Sequence, residues 1–223
     1  MYKKDYFMRL VEQLTAVIAH VARLGNDDEY QEALDTTDGS LRQLTGLGTD
    51  AWLSMETEDI LANLSMRDDL GGEETAVFMA GIFYQEGEIR ALQGDEDGAD
   101  FRILKALQLQ LAILNTHPDM PMPDVVPSVP DMWARLEAAD VVLPSETIQA
   151  LIDYYEQSKL YDTAEELIFE WVESEPGNSD AVEAGISFYE RLSLLSDEEL
   201  EEGSLPREEV EAGLEELLQA SDS

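Results

Sequence analysis

The chain has 223 residues, of which 50 are Asp or Glu and 13 are Lys or Arg, for a formal charge of -37. That balance opposes binding to nucleic acid or to anionic lipid, since both are held by Lys and Arg. Cysteine is absent, which excludes disulfides, thiol nucleophiles and thiolate metal sites.

The first nine residues, Met1-Tyr-Lys-Lys-Asp-Tyr-Phe-Met-Arg9, are charged where a secretory signal would be apolar, so a cytoplasmic location is expected. From Phe7 to Leu24, apolar residues recur at steps of three and four, through Leu10, Leu14, Val17 and Val21. The pattern predicts an amphipathic helix ended by Gly25-Asn26. Asp27 or Asp28 is placed to cap a second helix carrying Tyr30, Ala33, Leu34, Leu41 and Leu44, with residues 36–40 disturbing its middle. So short a break makes the two helices antiparallel neighbours. A shorter helix is predicted over 56–66, capped by Ser54 or Thr57.

Gly71-Gly72 then separates it from a long helix over 73–92, with Val77, Phe78, Ala80, Gly81, Phe83 and Tyr84 on its buried side. A turn over 94–98 leads into a helix over 100–115, buried through Phe101, Leu104, Leu107, Leu111 and Leu114. This is the most apolar stretch of the chain. It still contains Lys105, Gln108 and Gln110, and no uncharged run approaches the ~18 residues of a membrane span.

Residues 118–130 hold five of the eight prolines (Pro118, Pro121, Pro123, Pro127 and Pro130). Each proline fixes its own backbone and biases its predecessor toward extended geometry. The stretch is read as a strap, anchored by Met120, Met122, Val125 and Val126, and a short helix over 131–139 follows it. Three parts are therefore expected: helical hairpins over 1–117, the strap with its short helix over 118–144, and further helices over 145–223. In the last part, 147–157 and 162–173 pair as a hairpin, 179–194 and 205–219 are helices, and Ser196 to Glu199 has capping-box spacing. Val210, Leu214, Leu217 and Leu218 form the inner side of the closing helix. No strand-like alternation occurs, so the fold is all-α.

Residues 145–178 resemble a tetratricopeptide repeat. With Pro176 closing a unit of ~34 residues, Leu151 and Tyr155 fall at the packing positions of its first helix, and Tyr161, Ala164 and Ile168 at those of its second. Ile152 and Trp171 stand where that family has small residues. Weaker matches occur at Tyr30-Gln-Glu-Ala-Leu34, at Ala80, Gly81 and Tyr84, and at Val182, Gly185, Ile186 and Tyr189. The whole chain is similar to an uncharacterised bacterial family of tetratricopeptide-like proteins, through Asp5-Tyr-Phe-Met-Arg-Leu-Val-Glu-Gln13 and Tyr30-Gln-Glu-Ala-Leu34. The resemblance implies tetratricopeptide-like hairpins stacked as an α-α superhelix. It also implies a groove formed by the first helices, facing which are Glu146, Gln149, Asp153 and Glu156. These four positions carry no Lys or Arg, so a basic or apolar segment suits them better than an acidic chain end. The resemblance implies no activity.

No catalytic constellation assembles in the sequence. His20 borders the first apolar stripe, and His117-Pro-Asp119 lacks the third and fourth ligands of a zinc site. Neither histidine neighbours a nucleophile elbow. The acidic turn from Asp95 puts Asp100 where a calcium loop has glycine and Ala106 where it has glutamate. No metal and no cofactor is expected. Asp5, Arg9 and Glu12 lie three and four residues apart, as a polar cluster on one helix face that can serve an interface.

The methionines Met8, Met55, Met66, Met79, Met120, Met122 and Met132 are read chiefly as core. The leading expectation is a non-enzymatic helical-repeat protein that binds a protein or peptide partner in an adaptor or assembly role. Its rival is a small-molecule-binding protein or enzyme with a site in the cleft between the two halves, using Arg9, Glu12, Tyr84 or His117. Self-association through 78–84 or 192–195 is a further option. The charge itself reads as adaptation to a salty cytoplasm, where a Debye length of ~3 Å at 1 M salt screens the carboxylates from one another.

Overall fold

The architecture is taken from a computed structural model. It describes residues 2–26, 29–67 and 71–221, the side chains at 2–4, 25–26 and 221 excepted. All regular structure among the described residues is α-helical. The chain forms two compact units, Met1–Val141 and Val142–Ser223.

The first unit contains α1 (Tyr2–Asn26), α2 (Tyr30–Thr45), α3 (Thr49–Leu53), α4 (Thr57–Ser65), α5 (Gly72–Leu92), α6 (Glu96–Thr116) and α7 (Val129–Glu137). The stripe on α1 behaves as predicted: Leu10, Leu14, Val21 and Leu24 are buried. Val21 and Leu24 meet Ala33 and Leu34 of α2 and Ile89 of α5 in one cluster. The proposed caps Asp27 and Asp28 lie outside the described residues. Helix α2 runs unbroken through 36–40, contrary to expectation. Thr36 and Ser40 each donate a hydroxyl to the carbonyl four residues back, at 2.7 and 2.8 Å, and so return their polar groups to the helix.

Helix α3 was not predicted. It carries Trp52 into the core, where its indole N–H donates to Thr45 Oγ1 at 2.8 Å. Neither predicted cap serves α4. The cap position is Glu56, with no side-chain hydrogen bond, and the Ser54 hydroxyl instead donates back to Ala51 O at 2.8 Å.

Helix α5 is the hub of this unit. One buried side was expected, yet every residue from Glu74 to Phe83 is buried. The reason is that α1, α2, α4 and α6 all pack on it; a helix apolar around its whole circumference is a core helix. Phe78 and Phe83 are consequently enclosed, which removes 78–84 as a self-association face.

Gly87 sets the closeness of α5 to α6. A Cβ there would stand 2.7 Å from Ile103 Cγ1 and 3.0 Å from Ala99 O, so the two backbones approach only because the side chain is missing. On α6 the buried face is rotated from the predicted one. Ile103, Ala106, Leu107, Leu109 and Leu111 are buried between α5 and α7, while Phe101 is 45% exposed. The strap buries Val126, and α7 starts at a capping box between Ser128 and Asp131 with Pro130 in its first turn. Of the methionines, Met79 and Met132 are core, whereas Met8 and Met66 are exposed.

The second unit contains α8 (Ser145–Gln157), α9 (Tyr161–Ser174), α10 (Ser179–Leu192), α11 (Asp197–Glu202) and α12 (Arg207–Ser221). Helices α8 and α9 pair, α10 packs on α9, and α12 packs on α10. Leu151, Ile152, Tyr155, Tyr161, Ala164, Ile168 and Trp171 are all buried. Tyr189 is fully buried and donates its hydroxyl to Glu165 at 2.5 Å, tying α10 to α9. The box at Ser196 and Glu199 forms as predicted and starts α11. On α12, Val210 and Leu217 are buried, but Leu218 is 48% exposed, one step off the inner face.

Candidate functional site

Helices α8 and α10 lie side by side on one face of the second unit. Gln149 of α8 and Asp180, Glu183, Ala184, Ser187 and Arg191 of α10 line a hollow of about 370 Å³ between them. Of the α8 positions singled out from sequence, Gln149 lines the hollow, whereas Glu146, Asp153 and Glu156 are outside its lining. Gln149 Nε2 donates to Asp153 Oδ1 at 2.9 Å. Burial pushes the Asp153 carboxyl up, against that hydrogen bond and the Arg191 charge, which pull it down.

The four α8 positions carry no Lys or Arg, and the cation on this face is Arg191 of α10. It reaches from α10 to Glu156 of α8 and donates through Nε at 2.8 Å and Nη2 at 2.6 Å, a two-pronged pair. The hydrogen bond to Glu156 raises the guanidinium above its ordinary range, with burial opposing it. The register of the resemblance does not mark Arg191, because Glu190 stands 34 positions after Glu156, but it does mark other residues of that wall. Asp180, Glu183 and Ser187 stand 34 positions after Glu146, Gln149 and Asp153, so carrying the pattern forward one period finds the α10 wall. With Arg191 matched by Glu156, the carboxylates of Asp153, Asp180 and Glu183 leave the face net negative.

A second constellation lies inside the first unit and was not visible in sequence. Glu86 of α5 has a side chain only 4% exposed. Thr37 of α2 and Thr49 of α3 both donate hydroxyls to its Oε1, at 2.7 and 2.8 Å. Arg102 of α6 donates Nε to its Oε2 at 3.3 Å and Nη1 to Gly98 O at 3.1 Å. Burial raises the Glu86 carboxyl, and the two threonines and Arg102 only partly offset it. These four side chains come from four helices, which is why no spacing in the chain announces them.

The remaining predicted residues are dispersed. Asp5, Arg9 and Glu12 are exposed on α1, and the Arg9 guanidinium carbon lies 6.0 Å from the Tyr6 ring centroid. Among the described residues no ion pair joins Arg9 to Asp5 or Glu12. His117 follows α6, with Nε2 3.7 Å from Glu73 Oε1. Tyr84 is half-buried on α5, and burial raises its phenol. The α8–α10 hollow is lined by none of Arg9, Glu12, Tyr84 and His117. Asp95 accepts from Gly98 N at 3.1 Å and caps α6, which accounts for part of the acidic turn. Among the described residues no group of three or more His, Asp or Glu is arranged to hold a metal ion, and no helix is long and apolar enough to cross a membrane.

The profile of a family of unknown function, DUF6483, matches residues 1–222. The chain belongs to that family. No curated protein and no solved structure matches it. For this DUF6483 member, the α8–α10 hollow and the buried Glu86 network rest on its own residues.

Proposed function

We propose that this chain is a non-enzymatic interaction module of the tetratricopeptide-like kind, whose α8–α10 face docks an extended, Lys- or Arg-bearing segment of a partner protein. The observation that carries this reading is the 34-residue translation between the two walls of the hollow, from Gln149 on α8 to Glu183 on α10. In a repeat stack, equivalent positions on successive first helices face the same groove.

The buried Ala164 between α8 and α9 supports the same reading, since a small residue lets the paired helices approach. The register runs for a repeat and a half. One period beyond Tyr161, Ala164 and Ile168 stand Leu195, Glu198 and Glu202, where the short α11 replaces a second repeat helix and α12 closes the stack against α10. Charge complementarity then selects a cationic occupant.

The test is a screen of the full chain against a random peptide display library. Enriched sequences should carry Lys or Arg, and Asp180→Lys with Glu183→Lys should weaken their binding by about tenfold, roughly the effect of two rim charge contacts. Glu170→Lys on exposed α9 surface should leave it unchanged. No enrichment, or enrichment indifferent to the two reversals, overturns the reading.

A further inference from the structure

The buried Glu86 network forms one wall of a second hollow, of about 240 Å³, bordered by α2, α3, α5 and α6 and open to solvent. Three of the chain's nine arginines, Arg42, Arg90 and Arg102, line it. Two of them are already committed. Arg102 is spread over Glu86, Gly98 O and Asp50, the last at 3.6 Å. Arg42 is held by Asp38, which accepts from its Nη2 at 2.9 Å and also from Thr49 N.

Arg90 is the exception. Among the described residues its contact with a carboxylate is Nη1 to Asp95 at 3.5 Å, and its buried Nε has no acceptor. A guanidinium offers five donors in a rigid fork and binds a carboxylate best through two of them. Arg90 therefore retains the capacity for a second, stronger anion.

The α2 wall supplies the opposite charge. Asp35 accepts from Gln31 Nε2 at 2.9 Å, and among the described residues no cation pairs with it. The lining thus brings together an underused guanidinium and a carboxylate lacking a cation, beside side chains that are already engaged. A lone anion would meet Asp35, Asp38, Asp50 and Glu86, and a lone cation would meet the three arginines. A molecule with both charges satisfies both walls. The volume falls below the roughly 300–1,000 Å³ of sites for drug-sized ligands, which suits an occupant smaller than a nucleotide.

We propose that this hollow binds a small amphoteric molecule of the free α-amino-acid class, its carboxylate taken by Arg90 and its ammonium by Asp35. The threonine and Arg102 bonds to Glu86 keep that wall rigid and stop Glu86 from neutralising Arg90. The site is independent of the α8–α10 face.

The test is calorimetric titration of the full chain with each of the twenty standard amino acids, and with acetate and methylamine as single-charge probes, at matched pH and ionic strength. At least one amino acid should saturate with a dissociation constant of about 1 mM or tighter. Acetate and methylamine should bind at least about tenfold more weakly, and Arg90→Gln and Asp35→Asn should each weaken the amino acid by about tenfold or more. Arg90→Lys, which keeps the charge and loses the fork, should also bind more weakly than the parent chain. The proposal is overturned if no amino acid binds up to about 10 mM. It is equally overturned if acetate or methylamine alone binds as tightly, or if the Arg90 and Asp35 variants bind like the parent chain.

Discussion

Glu86 concentrates the electrostatics of the first unit in one residue. A carboxyl raised by burial holds its proton to higher pH in the folded chain than in the unfolded one. Between its ordinary value of 4.5 and its folded value, the folded state binds more protons, so stability falls as pH rises through that window. Burial raises Asp153 and Glu165 as well, with the same sign. The cap carboxylates Asp131 and Glu199 are lowered by hydrogen bonds from Ser128 and Ser196, and what they contribute is lost as pH falls. Glu86→Gln should therefore flatten the decline of melting temperature just above pH 4.5, relative to the parent chain. Glu86→Ala removes one member of a buried pair and should cost about 3–5 kcal/mol in a denaturant melt. An unchanged pH slope in the first variant, or a cost below about 1 kcal/mol in the second, contradicts this assignment. None of it was legible in the sequence, because a buried carboxylate is defined by partners on other helices and Glu86 looks like one acid among 50.

At the scale of elements, the sequence is informative wherever one face of a helix is buried and the opposite face is wet. Helix α1 follows its three-and-four stripe, and the box from Ser196 to Glu199 starts α11 where the spacing says. The errors share a cause. Helix α5 is surrounded, so its residues carry no polar side to mark the core direction. On α6, partners on two sides bury a band that excludes Phe101 and admits Arg102 and Lys105, each paired where it enters. Lys105 donates to Met55 O at 3.1 Å and lies 3.4 Å from Glu56 Oε2, so its ammonium remains compensated. Helix α3 is a single short turn, below the length at which periodicity carries information. Its position depends on Trp52 finding Thr45. The groove on α8 and α10 was half legible. The α8 wall came from the register of the resemblance, and Arg191 was missed because it stands one position off that register, where Glu190 follows Glu156 by 34 residues.

For the whole molecule, the charge of -37 outweighs any local pairing. The ion pairs that form are largely exposed, such as Lys159 with Glu202 and Arg207 with Asp197, and exposed pairs contribute little. The surplus carboxylates repel one another, and salt screens that repulsion. Lowering salt from about 1 M to about 0.05 M should lower the melting temperature, because the Debye length grows from ~3 Å to beyond the spacing of neighbouring acids. Equal or greater stability at low salt would contradict the reading of this surface as salt-adapted.

The same charge bears on the proposed docking face. Its carboxylates are drawn from an acidic chain, so negative potential alone does not distinguish a groove, and specificity has to reside in particular pairs. The decisive measurement is a charge-swap cycle on the full chain with a display-selected peptide. Glu183→Lys should weaken binding by several-fold, about 1 kcal/mol. Replacing the contacting peptide Lys by Glu should weaken the parent complex similarly, and combining the two should restore affinity. If the two losses simply add, Glu183 does not touch the peptide and the α8–α10 face is not where the partner sits.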